Sequence, residues 1–182
     1  DIYNINDVMP IMGGERIDIQ YKTPTRQDTQ LLTFVIASVA KKHRPEDNSD
    51  YQGYSWNLVT VDRWVDSELE VSNHFQGTYD SIVKQLLGRL KTKRKIETDH
   101  SNGVQNFIAP YWSPLKCCES IATRAFGTKY EPFKFWETLD GYNMKSLLSV
   151  YKQKSYARYT MGNGGIESAT PDQIFSRIHS FE

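Results

Sequence analysis

The apolar positions of the chain change their period part-way along it. Over the first third they alternate or run together, as strands do. Arg16–Tyr21 (RIDIQY) places Ile17, Ile19 and Tyr21 on one face, just after the turn signal Gly13-Gly14. Leu31–Val39 (LLTFVIASV) is short, apolar and rich in β-branched residues, which predicts a strand buried on both faces. Lys41–Gln52 is polar, holds a Pro, an Asp and an Asn, and is expected to be a loop. Tyr54–Val65 (YSWNLVTVDRWV) is the next expected strand. Trp56, Leu58, Thr60, Asp62 and Trp64 fall on one side of it and Ser55, Asn57, Val59, Val61 and Arg63 on the other. Neither side is wholly apolar, which puts this strand between a core and an interface. Strands of this number and length leave a bare edge, which natural sheets seldom tolerate. Further sequence or a neighbouring subunit is expected to complete the sheet.

From Thr78 the period becomes helical. In Thr78–Leu90 (TYDSIVKQLLGRL), Ile82, Val83, Leu86, Leu87 and Leu90 form an apolar stripe. Thr78 is placed as N-cap, and Asp80 suits the positive end of the helix dipole. Ile96–Asn106 is polar and reads as a loop or short strand. Ser113-Pro114 starts a second helix with Leu115, Cys118, Ile121, Ala122 and Ala125 facing inward, and Gly127 is expected to stop it. Phe133–Thr138 and the segment after Asp140-Gly141 read as a hairpin with its turn at that Asp-Gly pair. Lys145–Tyr151 is expected to be a short helix, Ser155–Thr160 a strand, Gly162–Gly165 (GNGG) a flexible break, and Thr170-Pro171 the start of a last helix with Ile174, Phe175 and Ile178. The pattern is a β-rich first part and an α/β second part, divided near Ser67–Ser72.

Composition narrows the functional classes. The 182 residues are 38% apolar and 13% aromatic, enough to bury a core. Lys+Arg and Asp+Glu number 22 each, so the chain lacks the basic surplus that usually drives binding to duplex nucleic acid or anionic membranes. No apolar run approaches the length of a membrane span. The start, DIYNINDVMP, has neither the basic nor the apolar region of a signal peptide and no initiator Met, so a fragment, a processed product or an incompletely ordered part of something longer is expected. The two cysteines, Cys117 and Cys118, are adjacent and poorly placed to bond each other, which fits a reducing compartment.

Candidate chemistry is sparse. Zinc sites need spaced Cys/His pairs, and Cys117-Cys118 offers none; Cys118 falls on the apolar helix face and reads as a small core residue. His43, His74, His100 and His179 belong to no metal or catalytic pattern, and Asp99-His100 as a general-base pair is no better than any adjacent Asp-His in a loop. The GxSxG, Walker and GxGxxG patterns are lacking. The pairs Glu68/Glu70 and Asp62/Asp66 offer acid/base work or Mg²⁺ binding as one reading, and solvated carboxylates on strand faces as the plainer one. The run Lys91, Lys93, Arg94 and Lys95 is the best binding candidate, able to contact phosphate, with Tyr111 and Trp112 as nearby stacking aromatics. Its plainer reading is a solvated helix end balancing its dipole. The tryptophans Trp56, Trp64, Trp112 and Trp136 read as core anchors, with one or two at a subunit contact.

The order of motifs carries a resemblance. Ile108–Tyr111, Trp112–Pro114, Phe133–Thr138, Asp140–Tyr142 and Lys145–Leu147 follow one another as an aromatic-Pro segment, a Trp-Ser-Pro helix start, a Phe-x-Phe-aromatic-Glu-Thr strand, an Asp-Gly-aromatic turn and a Lys-Ser-Leu run. This resembles the central part of the baseplate hub proteins of contractile-tailed bacteriophages, over residues 10–160 and best over Ser72–Val150. The resemblance implies an α+β fold, a tail-tube-like β-barrel portion in residues 1–70 with an inserted small α/β domain in 71–160; the glycine break and the Thr170-Pro171 helix start make residues 161–182 a hinge with a short helix. It implies a non-enzymatic structural subunit without cofactor, a trimer joining the tail tube protein to the central spike protein. The channel would pass DNA and the tape-measure protein. The subunit would be assembled in the host bacterial cytoplasm and reside in the virion tail. Family members are longer, with a second barrel that this sequence lacks. Interface residues are expected on the first-part strands, at Arg16, Asp18, Gln20, Trp56, Asp62 and Trp64. The alternatives are a nucleic-acid-binding module using Lys91–Lys95, or the hub-like spike domain of a type VI secretion or tailocin machine.

Overall fold

The computed structural model describes residues 11–22, 29–43, 53–155, 160–161 and 177–178. Contacts divide the chain into two compact units, Asp1–Ile17 with Phe34–Lys152, and Asp18–Thr33 with Gln153–Glu182. The fold is α+β, and no closed barrel forms among the described residues.

Three strands open the chain: β1 (Arg16–Tyr21), β2 (Gln30–His43) and β3 (Gly53–Thr60), joined in the order β1-β2-β3. β2 and β3 are antiparallel from Phe34↔Thr60 to His43↔Gly53, with irregularities between Ile36 and Ser38 and between Val39 and Lys41. β2 is longer than the sequence suggested. Lys41–His43 continues the strand instead of opening a loop, and residues 44–52 of the expected loop lie outside the described residues. Over Leu31–Ala40, burial on both faces is confined to the middle of the strand. Val35 and Ile36 are buried, while Leu31 is 65% and Val39 41% exposed.

The expected strand through Val65 breaks at Thr60. Val61–Glu68 is helix α1, capped by the Thr60 hydroxyl, which accepts from the Arg63 amide at 3.4 Å. Val61, Trp64, Val65 and Leu69 sit at helical spacing, and Val65 and Leu69 pack on the core. This period of 3.6 outweighs the β-branched character of TVDRWV. Trp56 is therefore a strand residue, whereas Asp62 and Trp64 are helical.

The α/β body follows. Strand β4 (His74–Gly77) pairs antiparallel with β6 (Gln105–Ile108). Helix α2 (Tyr79–Arg89) buries Ile82, Val83, Leu86 and Leu87, and helix α3 (Pro114–Arg124) buries Leu115, Cys117, Cys118 and Ile121. Both helices have the expected register, and their apolar faces share one core with Phe75, Phe107, Phe133, Tyr142 and Met144. Complete burial of each such side chain contributes about 1.5–3 kcal/mol. α3 ends at Arg124, and Gly127 lies beyond the cap in a turn closed by the Tyr130 amide on its carbonyl at 3.0 Å.

The second sheet has the order β5-β8-β7, from β5 (Lys95–Thr98), β7 (Phe133–Glu137) and β8 (Gly141–Ser146). The hairpin β7–β8 runs from Phe133↔Ser146 to Glu137↔Tyr142. Thr138 and Gly141 exchange backbone hydrogen bonds at 2.8 and 3.2 Å, so the two loop residues are Leu139 and Asp140. The turn is thus one residue earlier than Asp140-Gly141 implied. Gly141 instead serves β5, which runs parallel to β8 from Lys95↔Gly141 to Thr98↔Met144. The expected helix from Lys145 begins later: Lys145 and Ser146 end β8, and α4 is Leu147–Tyr151.

In the second unit, Thr33 donates to the Asp18 carboxylate at 2.5 Å, and Thr160–Met161 (β9) pairs parallel with Arg177–Ile178 (β10). Of the strand expected over Ser155–Thr160, residues 156–159 lie outside the described residues, as do Gly162–Gly165 and residues 171–176 of the last expected helix. Ile178, expected on that helix, is in β10.

Candidate functional site

The densest polar cluster forms where α1, the turn before β5 and the β7–β8 hairpin meet. The Asp62 carboxylate is buried. It accepts from the Thr92 hydroxyl at 2.7 Å and from the Tyr142 hydroxyl at 3.2 Å, with Arg94 Nη1 3.8 Å away. Arg94 also donates through Nη1 to Glu137 Oε1 and through Nη2 to the Thr138 carbonyl. Its guanidinium carbon lies 5.2 Å from the Tyr142 ring centre. Glu137 additionally accepts from the Thr60 hydroxyl at 3.2 Å and pairs with Arg63 Nε at 3.5 Å. Two carboxylates thus meet two guanidinium groups, with three hydroxyls completing the shell.

This arrangement is closed. Burial, then the Asp62 and Glu137 charges, push the Tyr142 phenol well above its ordinary value, so it stays neutral and donates. The cluster joins three elements, and its chemistry is that of a structural lock.

Asp66 lies one turn beyond Asp62 on the same face of α1. It is buried and accepts from the Leu115 amide at 2.7 Å. The solvated reading of the Asp62/Asp66 pair is therefore corrected: helix α1 turns both carboxylates inward. Glu68 and Glu70 are exposed. As candidate interface residues, Arg16, Asp18 and Gln20 lie exposed on β1, and Trp56 and Trp64 are half-buried. Asp62 is committed to partners within the chain.

Asp99 and His100 do not act together. Asp99 accepts from the Ser146 amide at 2.9 Å and from the Ser149 hydroxyl, holding the start of α4. His100 is exposed, with Nδ1 3.6 Å from Asp80. Burial opposes the Asp80 charge, but the Ser101 amide at 3.1 Å and its hydroxyl at 3.0 Å help hold that carboxyl below its ordinary value. Cys117 and Cys118 are both buried, and burial pushes both thiols up, away from the reactive thiolate. No group of three or more metal-ligating side chains occurs among the described residues.

The basic run alternates. Thr92 and Arg94 face inward, whereas Lys91, Lys93 and Lys95 are exposed. Arg94 is held in the lock and Lys95 pairs with Glu97. Lys91 and Lys93 have no ion pair among the described residues. The suggested stacking aromatics differ: Tyr111 is 66% exposed at φ 61°, while the half-buried Trp112 ring is covered by Lys116 Nζ, 4.7 Å from its centre.

Sequence reasoning missed the inward roles of Asp62, Asp66 and Arg94. The available signal was Val61-x-x-Trp64-Val65, a helical triplet that puts Asp62 and Asp66 one turn apart. No helix among the described residues is long and apolar enough to cross a membrane. Comparison with protein-family models and with curated proteins gives no match.

Proposed function

We propose that the chain is a structural subunit of the central baseplate hub of a contractile phage tail. In this reading it joins tail tube protein to central spike protein as a homotrimer and lines the channel for DNA and the tape-measure protein. The β1-β2-β3 sheet is the incomplete part of a tail-tube-like barrel, which further sequence and neighbouring subunits complete. The α/β body is the inserted domain that braces it. The protein resides in the virion and performs no reaction.

One observation carries the reading. Among the described residues, β1 and β3 each pair with β2 alone, and the sheet leaves Ile19, Leu31 and Val39 exposed at 38%, 65% and 41%. A long strand with apolar side chains and open backbone edges beside it is a surface that needs covering. The ordered motifs from Ile108 to Leu147 support the family. The enclosed lock around Arg94 supports a scaffold role over a catalytic one.

The test is the mass of the native assembly. The full-length protein at high concentration, alone and with the spike protein, is expected to give trimers and a defined spike complex. A strictly monomeric protein under both conditions would overturn the proposal.

A further inference from the structure

Residues 81–96 hold six Lys and Arg and no Asp or Glu, in a chain whose 22 Lys+Arg and 22 Asp+Glu balance overall. The structure separates these cations into two sets. Arg94 and Lys95 are paired within the chain. Lys84, Arg89, Lys91 and Lys93 are exposed, without an ion pair among the described residues. On α2 the exposed positions are Lys84, Gln85, Gly88 and Arg89, which at 100° per residue form one face opposite Ile82, Val83, Leu86 and Leu87. The Lys91 amide bonds to the Gly88 carbonyl at 3.1 Å, which holds Lys91 beside that face. Thr92, tied to Asp62, anchors the turn and leaves Lys91 and Lys93 pointing outward.

Helix-dipole compensation covers Arg89 and the lysines just after it but does not account for Lys84. That effect is confined to the last turn, and Lys84 lies outside it. Gly88 is the second observation. It sits within the helix, between Lys84 and Arg89 on the cationic face, and a Cβ there would meet nothing within 4 Å. No close contact at the Cβ position requires the glycine, and almost any other residue would be a better helix former. A glycine here leaves a shallow floor between Lys84 and Arg89.

We propose that this face of α2, with the turn that follows it, binds the phosphate backbone of duplex nucleic acid without regard to sequence. Lys84, Arg89, Lys91 and Lys93 supply the charge, Gln85 a neutral donor, and Gly88 the close approach. The face carries no aromatic side chain, so it has nothing on which to stack the bases of a single strand. It is lysine-rich and lacks apolar anchors, the reverse of a protein-binding hot spot. This inference does not rest on the hub reading, since it concerns only the charges of α2.

The experiment measures binding of the full chain to a fluorescent 20-base-pair DNA duplex against salt concentration. About four phosphate contacts predict a slope of log K against log salt near −3 to −4, or roughly 100-fold weaker binding between 50 and 200 mM. Joint substitution Lys84→Ala, Arg89→Ala, Lys91→Ala and Lys93→Ala is expected to abolish binding. Lys129→Ala with Lys134→Ala, which removes the same type of charge elsewhere, is expected to leave it unchanged. Gly88→Leu, a good helix former, is expected to weaken binding at least fivefold while thermal stability holds or rises. The proposal is overturned by no binding of the parent at low salt, by persistence of binding in the fourfold variant, or by equal loss in the Lys129/Lys134 variant. Unchanged affinity in Gly88→Leu overturns the close approach. Tighter binding to a single strand or to polyglutamate than to the duplex overturns the assignment of partner.

Discussion

The carboxylate of Asp66 accepts a hydrogen bond from the amide of Leu115 at 2.7 Å, so one helix caps another from 49 residues away in sequence. Ser113 occupies the N-cap position of α3 and makes no side-chain capping bond. Asp66→Ala is therefore expected to cost about 1–2 kcal/mol, the usual loss for an N-cap acceptor. Ser113→Ala should stay within about 0.5 kcal/mol, as expected for a substitution that removes no such bond. Asp66→Asn keeps an acceptor oxygen and should fall between them. Urea denaturation of the three variants checks this order, and a costlier Ser113→Ala would refute it.

Arg94 is the centre of the lock. Its removal leaves the buried Asp62 and the half-buried Glu137 each short of a cation. Arg94→Ala is expected to destabilise by about 2–3 kcal/mol, below the range for a fully buried pair because the side chain is 23% exposed. Arg94→Lys should recover little, since a single ammonium cannot reproduce the fork that reaches Glu137 and the Thr138 carbonyl together from over the Tyr142 ring. A double-mutant cycle between Arg94→Ala and Glu137→Ala should give coupling above about 0.5 kcal/mol. Additive losses would mean that the contact does not couple.

The cores of α2 and α3 were legible because their apolar stripes are long and regular, and a stripe is a local property. The hairpin was legible for the same reason, to within one residue. What escaped was decided at a distance. TVDRWV has strand propensity, but Asp62 finds Tyr142 and Asp66 finds Leu115 only once α1 turns both toward the body. The Asp-Gly pair signalled a turn, but the glycine answers a neighbouring strand. Lys91–Lys95 looked uniform as a run, and only the anchoring of Thr92 and Arg94 divides it into inward and outward members.

That neighbouring strand makes Gly141 irreplaceable. Its φ is +155°, and a Cβ there would overlap the backbone of Lys95, the first residue of β5. Gly141→Ala is expected to cost more than about 1 kcal/mol, being incompatible in both conformation and space. Damage should centre on the parallel β5–β8 pairing, where the Lys95 amide donates to the Asp140 carbonyl at 3.2 Å. Hydrogen exchange should show early loss of protection in Ile96–Thr98, with the α2 and α3 amides protected for longer. Equal loss throughout would point to global unfolding instead.

On the second sheet, Glu97 is the group whose charge is most strongly held. Lys145 Nζ lies 2.5 Å from Oε2, and Lys95 pairs with Oε1. The hydrogen bonds from Lys145 and then Lys95, with their positive charges, pull the Glu97 carboxyl from its ordinary 4.5 down to about 2. A pKa lower in the folded than in the unfolded state means that the unfolded chain binds the proton first. The contribution of this pair to stability is therefore complete above pH 4.5 and is lost as pH falls toward 2. Lys95 is exposed and Glu97 partly so, so the contribution should shrink with added salt. Lys145→Ala removes the stronger partner and should raise the Glu97 pKa toward 4.5, leaving Lys95 to hold part of the shift. Carboxyl-carbon NMR titration reads the pKa directly. Denaturation between pH 4.5 and 2 should show a shallower dependence in the variant than in the parent. An unmoved Glu97 titration in Lys145→Ala would mean that Lys95 alone sets the charge.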